Sequence, residues 1–366
     1  MRYPWTAVPL LVLILSCSQK NNHLITIKET EISISKIDSF ISSKIDSTKL
    51  VGVSVSIVNG NKIVYSGHFG KKNFESEKKV TDQTIYEVAS LSKPVFTFFT
   101  LKQVEKGILD LDEPLYKYLP NPDIGYDDRY KQITARMVLC HSTGFPNWRK
   151  KNDSLRIKFN PGSAYGYSGE GYEYLKNVLV KMLETDDKGL DSIFQKEITE
   201  PLGIANFSFT WRSAYLENKA HGHYNNRPTD NSYHKSKSFF KEKGPHLFAS
   251  SYSLYSTSNA YAKFIIALLQ KRILGPDTFD ELFRPQTEMP IFPDTKTHRS
   301  LISFIKKTPD GLRYFHTGDN GDFQAWTHFY PNSGFGIVIL TNGDNLFSSG
   351  FAEDLLILLD ESVGKN

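Results

Sequence analysis

Thr84-Ile85-Tyr86-Glu87-Val88-Ala89-Ser90-Leu91-Ser92-Lys93 is the stretch on which the reading of this chain turns. Its first half, rich in β-branched and aromatic residues, reads as a strand. Its second half opens an amphipathic segment that runs through Phe96, Phe99, Leu101 and Val104 at helical spacing. The pattern predicts a helix starting at Ser90, with Pro94 tolerated because it stands close to the first turn. Residues three apart share a helix face, so Lys93 projects beside the Ser90 hydroxyl. A serine hydroxyl is a poor nucleophile until a base takes its proton, and a partly desolvated lysine can be neutral enough to help. The helix N-terminus also offers backbone N–H groups to a developing oxyanion.

Upstream of this segment, Ile34, Ile37, Ile41 and Ile45 recur at three- and four-residue steps, the pattern of an amphipathic helix. Val51-Gly52-Val53-Ser54-Val55-Ser56-Ile57-Val58 then alternates with period two and reads as a strand. Asn59-Gly60-Asn61 supplies turn chemistry, and Lys62-Ile63-Val64-Tyr65-Ser66 returns to form a hairpin. The far end mirrors this with Ala325–Tyr330, a Pro331-Asn332-Ser333-Gly334 turn, Phe335–Leu340 and an apolar helix from about Phe347 to Val363. The pattern predicts an α/β fold in which both termini build one antiparallel sheet, flanked by helices, with an inserted mainly helical region over about 90–310.

The first residues have signal-peptide architecture: Arg2, an apolar run from Ala7 to Leu15, then Ser16-Cys17 and a polar stretch. The run is too short for the roughly 20 apolar residues a membrane-spanning helix needs. The small residue before Cys17 and the aliphatic residues behind it resemble a bacterial lipobox, which makes Cys17 the acylated residue. The expected organisation is a signal peptide at 1–16, a lipidated Cys17 and polar tether over 17–30, and one domain over 31–364. The expected location is outside the cytoplasm, held to a membrane of the bacterial envelope by the lipid. Cys140 is the only other cysteine, so no internal disulfide is expected.

Composition narrows the function classes. With 39% hydrophobic and 13% aromatic residues the chain can build a core without cross-links, and a net charge of +4 with no basic stripe gives nucleic-acid binding no support. Asp110, Asp112 and Glu113 lack the calcium-loop pattern, and no His/Cys/Asp cluster has zinc spacing. Neither a metal nor a cofactor is expected; the expected partners are a small-molecule or peptide substrate and the membrane, and oligomeric state stays open.

Several blocks, in order, resemble the serine β-lactamase and penicillin-recognising family, in its class C-like branch of β-lactamases, D-alanyl and D-amino peptidases and esterases. They are Tyr86–Lys93, Lys106-Gly107-Ile108-Leu109-Asp110-Leu111-Asp112-Glu113-Pro114-Leu115, Ile133–Pro146, Phe159-Asn160-Pro161-Gly162 with Tyr167-Ser168-Gly169-Glu170-Gly171-Tyr172, and Pro201-Leu202-Gly203-Ile204. The resemblance covers residues 30–362. It implies that Ser90 is the nucleophile and that Tyr167 fills the tyrosine of the family's Tyr-x-Asn motif, relaying protons between Ser90 and the leaving group. A phenol with a pKa of about 10 needs nearby cations to act as a base at neutral pH, and Lys93 is the natural one. Gly169 stands where that motif often has asparagine, so the side-chain amide for a substrate carbonyl is missing.

His316-Thr317-Gly318 resembles the family's Lys-Thr-Gly strand in its histidine form. The resemblance implies that the N–H of Asp319 is the second oxyanion donor, that Thr317 and Gly318 let substrate lie along the strand edge, and that His316 carries a proton or hydrogen bond near Tyr167. A histidine there would change charge across physiological pH. His141 is expected to hold a loop near the site, and Ser251 and Tyr252 stand where the family usually has small glycines, which implies a narrower or differently bent pocket wall.

The expected function is hydrolysis of a small ester or a D-amino-acid-containing peptide through an acyl-enzyme at Ser90. Gly169 and the histidine form rank a β-lactamase or D-Ala-D-Ala carboxypeptidase second. A non-catalytic ligand-binding protein of the same fold, or an acyltransferase using the same intermediate, are the other readings.

Overall fold

The computed structural model describes residues 22–150, 152–229, 247–289 and 297–361. An eight-stranded, wholly antiparallel sheet runs in the order Thr287–Met289, Thr297–Arg299, Phe304–Thr308, Gly311–Asp319, Gln324–Tyr330, Phe335–Thr341, Gly52–Asn59, Lys62–Gly70. The expected hairpin is present, and Gly60 and Asn61 have φ of 55° and 64°, as a tight turn between twisted strands requires. Phe335–Thr341 pairs with Gly52–Asn59, which is how the two ends of the chain come to share one sheet.

Alternation along Gly52–Asn59 sorts its side chains between two cores. Val53, Val55 and Ile57 face a layer made by the helices Ile34–Thr48 and Phe351–Leu358. Ser54 and Ser56 face the larger helical side, where both are buried and satisfied by the Tyr86 hydroxyl, Ser258 and Asn259. That side holds the helices Ser92–Glu105, Gly169–Met182 and Ser258–Leu269 around a dense aromatic core.

Four expectations need correction. The helix at Ser90 begins two residues later: Ala89–Leu91 form a 3₁₀ turn and the α-helix runs Ser92–Glu105. The polar stretch at 17–30 is folded from its end inward, because His23–Ile25 and Glu31–Ser33 pair as a small hairpin that buries Leu24 and Ile32 in the terminal core. The inserted helical region stops at Phe283, since Thr287–Met289, Thr297–Arg299 and Phe304–Thr308 already belong to the sheet. The last helix starts at Phe351, after Gly350 takes φ of 67°. Val363, like the proposed signal peptide and Cys17, lies outside the described residues. Among the described residues no helix is long and apolar enough to cross a membrane.

The helix that carries Lys93 is anchored by aromatic packing. Phe98 meets Phe264 edge-on at 5.5 Å, and Phe99 meets Phe194 edge-on at 5.7 Å. Truncating a fully buried phenylalanine removes its transfer energy and leaves a cavity. Phe99→Ala is therefore expected to cost about 3–5 kcal/mol, read as a shift of the denaturation midpoint in urea at unchanged slope.

Candidate active site

Ser90 sits half-buried in the 3₁₀ turn, where its neighbour Ala89 takes φ of 50°, a left-handed conformation uncommon for a residue with a Cβ. Several bonds hold this turn. The Ser92 hydroxyl donates to the Ala89 carbonyl at 2.6 Å and accepts from the Leu254 N–H at 3.0 Å, and the Tyr261 hydroxyl donates to the Leu91 carbonyl at 2.9 Å. Backbone strain persists where surrounding contacts over-determine it, and such places cluster at reactive sites.

Lys93 is only 1% exposed. Its ammonium nitrogen lies 3.2 Å from Ser90 Oγ and 3.0 Å from the Ser251 carbonyl oxygen, with the Tyr167 and Tyr172 rings 4.6 and 5.6 Å away. Burial pushes its pKa down to about 7, against the pull of the Glu173 carboxylate and with Arg299 adding to the push. Lys93 is thus poised to accept a proton from Ser90 near neutral pH.

Tyr167 completes the group, its ring 4.6 Å from Lys93 Nζ. Burial raises its pKa to about 12, while the neighbouring Ser90 side chain and the Arg299 charge work the other way. With Lys93 pulled toward neutrality and the Tyr167 phenol held protonated, the arrangement offers one group that can take a proton and one that can give it. His141 packs against Tyr167 with ring centres 4.3 Å apart and planes tilted by 35°, and its Nδ1 accepts from the Ser168 N–H at 3.2 Å, so it holds the Tyr167 loop.

His316 is brought to the site but not as a charge that switches near pH 7. It is 1% exposed, stacked on Phe304 at 5.0 Å and 6.3 Å from the Tyr167 ring. Burial, then the Arg299 and Lys93 charges, hold its pKa far below the ordinary histidine value. Its Nδ1 lies 2.8 Å from the Thr317 carbonyl, which can only accept, so Nδ1 carries the proton and Nε2 is a bare acceptor.

The strand Gly311–Asp319 passes so close to the Ser90 turn that a Cβ on Gly318 would stand 2.3 Å from the Val88 carbonyl oxygen and 3.2 Å from the Ser90 nitrogen. Only glycine permits that approach, which sets the Ser90 amide beside the backbone that carries Thr317, Gly318 and Asp319. The Asp319 carboxylate turns away to accept from the Gly321 N–H at 2.7 Å and Gln324 Nε2 at 3.0 Å.

Gly169 is placed differently from a substrate-contacting residue. Its N–H is donated to Asn147, and a Cβ there would meet Trp148 ring carbons at 2.4–2.9 Å. Trp148 thus fills the space over Gly169 and meets Tyr252 edge-on at 5.8 Å, in a small apolar cluster with Leu247 and Ala249.

Three residues that the sequence reading did not single out belong to the site. Trp148 is one. Glu173, 2% exposed, accepts at one oxygen from the Ser250 hydroxyl at 3.1 Å and from the Ser251 N–H and hydroxyl at 3.1 and 2.8 Å, fixing the carbonyl that receives Lys93. Arg299 is wholly buried behind the tyrosines. None of the three lies in a recognisable motif, and Glu173 is flanked in its helix by Glu170 and Lys176, so its charge does not stand out in the sequence. Among the described residues no group of three or more His, Cys, Asp or Glu side chains could hold a metal ion.

Comparison with known proteins identifies a family and a fold for this chain. A sequence model described as Beta-lactamase matches residues 37–361. Protein flp of Staphylococcus aureus (strain NCTC 8325 / PS 47) is 21% identical over 364 residues, covering 89% of this chain. The chain spans 66% of that relative's length. Among solved structures, the octameric penicillin-binding protein homologue from Pyrococcus abyssi superposes with a TM-score of 0.73 at 21% identity, over 90% of this chain and 78% of that one. D-alanine carboxypeptidase AmpC from Burkholderia cenocepacia gives 0.72 at 18% identity, over 88% and 98%. At such identities the structural likeness speaks for the fold.

Trp148 and the residue beneath it make a direct test of pocket shape. Gly169→Asn alone should destabilise the protein by about 1–3 kcal/mol, because the new side chain collides with the indole. Adding Trp148→Ala should recover most of that loss in thermal melts; equal destabilisation of single and double variants would contradict the packing described.

Proposed function

Because the chain belongs to the Beta-lactamase family, matched over residues 37–361, we propose that it is a serine hydrolase that cleaves a small ester or a D-amino-acid-containing peptide through an acyl-enzyme at Ser90. The observation that carries the proposal is the Lys93 ammonium nitrogen 3.2 Å from Ser90 Oγ, in a setting that holds its pKa down to about 7.

The proposed proton path balances. As Ser90 Oγ bonds to the acyl carbon, its proton passes to Lys93 Nζ. As the bond to the leaving oxygen or nitrogen breaks, Tyr167 Oη–H supplies that atom's proton, and Lys93 then returns its extra proton to Tyr167. The Ser90 and Asp319 N–H groups are the donors for the tetrahedral oxyanion. Water enters by the reverse sequence and releases the acid. Trp148 over Gly169, in place of an amide side chain, supports an ester or small peptide over a β-lactam.

Intact mass after treatment with a fluorophosphonate, and separately with a penicillin, tests this in wild type and Ser90→Ala. A Ser90-dependent fluorophosphonate adduct without a stable penicillin adduct is expected. No adduct with either reagent on folded protein would sink the covalent mechanism and favour a ligand-binding role. The pH dependence has a definite sign: Lys93 must be neutral, so labelling is slow below its pKa, rises as pH passes through about 7 and levels off above it.

We also propose that Cys17 carries a lipid that holds the domain at a bacterial envelope membrane. Cys17→Ala should move the expressed protein to the soluble fraction, and a variant that still sediments with membranes would overturn the anchor.

A further inference from the structure

Arg299 ends the strand Thr297–Arg299, and its side chain is 0% exposed. Its Nη2 reaches the Tyr172 hydroxyl at 3.3 Å and the Leu139 carbonyl at 3.4 Å, and the guanidinium lies 4.9 Å over the Phe304 ring. Among the described residues its Nε and Nη1 have no hydrogen-bond partner and no carboxylate pairs with it. A buried guanidinium without a counter-ion is costly, because its lost hydration is not repaid by an opposite charge. Sites that carry such a charge usually use it.

What the charge faces is the proposed reaction centre. Phe304, on which Arg299 lies, stacks on His316 at 5.0 Å and on Tyr167 at 6.5 Å. The titratable groups around Lys93 are Tyr172 and Glu173 from the helix Gly169–Met182, Tyr167 from the loop before it, His141 from the loop after Ala135–Leu139, and His316 from its strand. Glu173 is the one acid among them; one of its oxygens accepts from Ser250 and Ser251, and its charge opposes that of Arg299 at Lys93. The Arg299 charge disfavours protonation of Lys93, His141 and His316 and favours loss of the Tyr167 proton.

We propose that Arg299 is the permanent cation of this site, a positioning residue that acts through its field to keep Lys93 in the free-base form and to favour negative charge on Tyr167 Oη. His316 cannot do this, since it is buried and neutral. A lysine in the same pocket would itself lose its proton, whereas a guanidinium stays charged at every working pH. The inference rests on the Ser90 acyl-enzyme reading.

The test compares wild type with Arg299→Gln and Arg299→Met in the full chain. Gln keeps polar donors near Tyr172 and Leu139, and Met fills the volume without polarity, so either one that retains wild-type near-ultraviolet circular dichroism decides. The first readout is the pH profile of Ser90 labelling by a fluorophosphonate. Removing the charge should move the rising limb up by about one pH unit and slow labelling at pH 7 about tenfold. A folded variant whose limb stays in place, even if labelling is uniformly slower, overturns the proposal, because a packing role alone does not move the limb. The second readout is independent of acylation: ultraviolet titration of tyrosinate, with the Tyr167→Phe curve subtracted in each background. The Tyr167 signal should appear at higher pH once Arg299 is replaced, and an unmoved signal overturns the proposal. If wild type is never labelled at Ser90, the acyl-enzyme reading fails while this titration still decides the role of Arg299.

Discussion

Lys93 could not be buried beside Ser90 unless something else in the fold made a home for it. An ammonium taken out of water must find oxygen partners or give up its proton, and this molecule arranges for both. Ser90 Oγ and the Ser251 carbonyl receive it, two tyrosine rings flank it, and Glu173 pins the Ser250–Ser251 backbone that supplies the carbonyl. The remaining hydration loss tips Lys93 toward neutrality. The aromatic core under the helix Ser92–Glu105 and the helix Gly169–Met182 serve this one placement, the first by fixing the lysine and the second by bringing Tyr172 and Glu173 against it.

A second constraint comes from the sheet. Gly318 lets the strand Gly311–Asp319 come against the Val88–Ser90 backbone, so the Ser90 turn is confined between a helix core and a strand edge. Ala89 accepts an unfavourable backbone conformation there because Ser92, Leu254 and Tyr261 lock the turn with hydrogen bonds. The site is therefore tightly held on its Ser90 side. On another side Trp148 and Tyr252 form an apolar wall over Gly169, whose lack of a side chain leaves room for the indole.

Much of this could be read from local pattern. The Gly52–Gly70 hairpin announced itself through alternation and an Asn-Gly turn, and the Ser90–Lys93 spacing placed two side chains together even though the helix there begins as a 3₁₀ turn. Less legible were short elements whose stability comes from their partners. The two three-residue strands at 23–33 and those at 287–299 carry too few residues for a periodic signal and form because a hairpin partner and a buried face await them. The turn Pro309-Asp310-Gly311 between Phe304–Thr308 and Gly311–Asp319 was a usable signal that the sheet resumes before residue 310.

Chemical identity and spacing along the chain put Ser90 and Lys93 side by side, whereas Tyr167 and His316 were marked only by the resemblance of their segments to a known family. Protonation states were beyond that reading. Whether Lys93 is neutral, whether His316 switches charge and which cation acts on Tyr167 depend on desolvation and on a charge at Arg299, which is 132 positions after Tyr167 in the chain. Electrostatic energies scale with spatial distance and local dielectric, and neither is a property of sequence neighbours. Trp148 makes the same point sterically: a glycine at 169 is only a missing side chain until folding lays an indole across it.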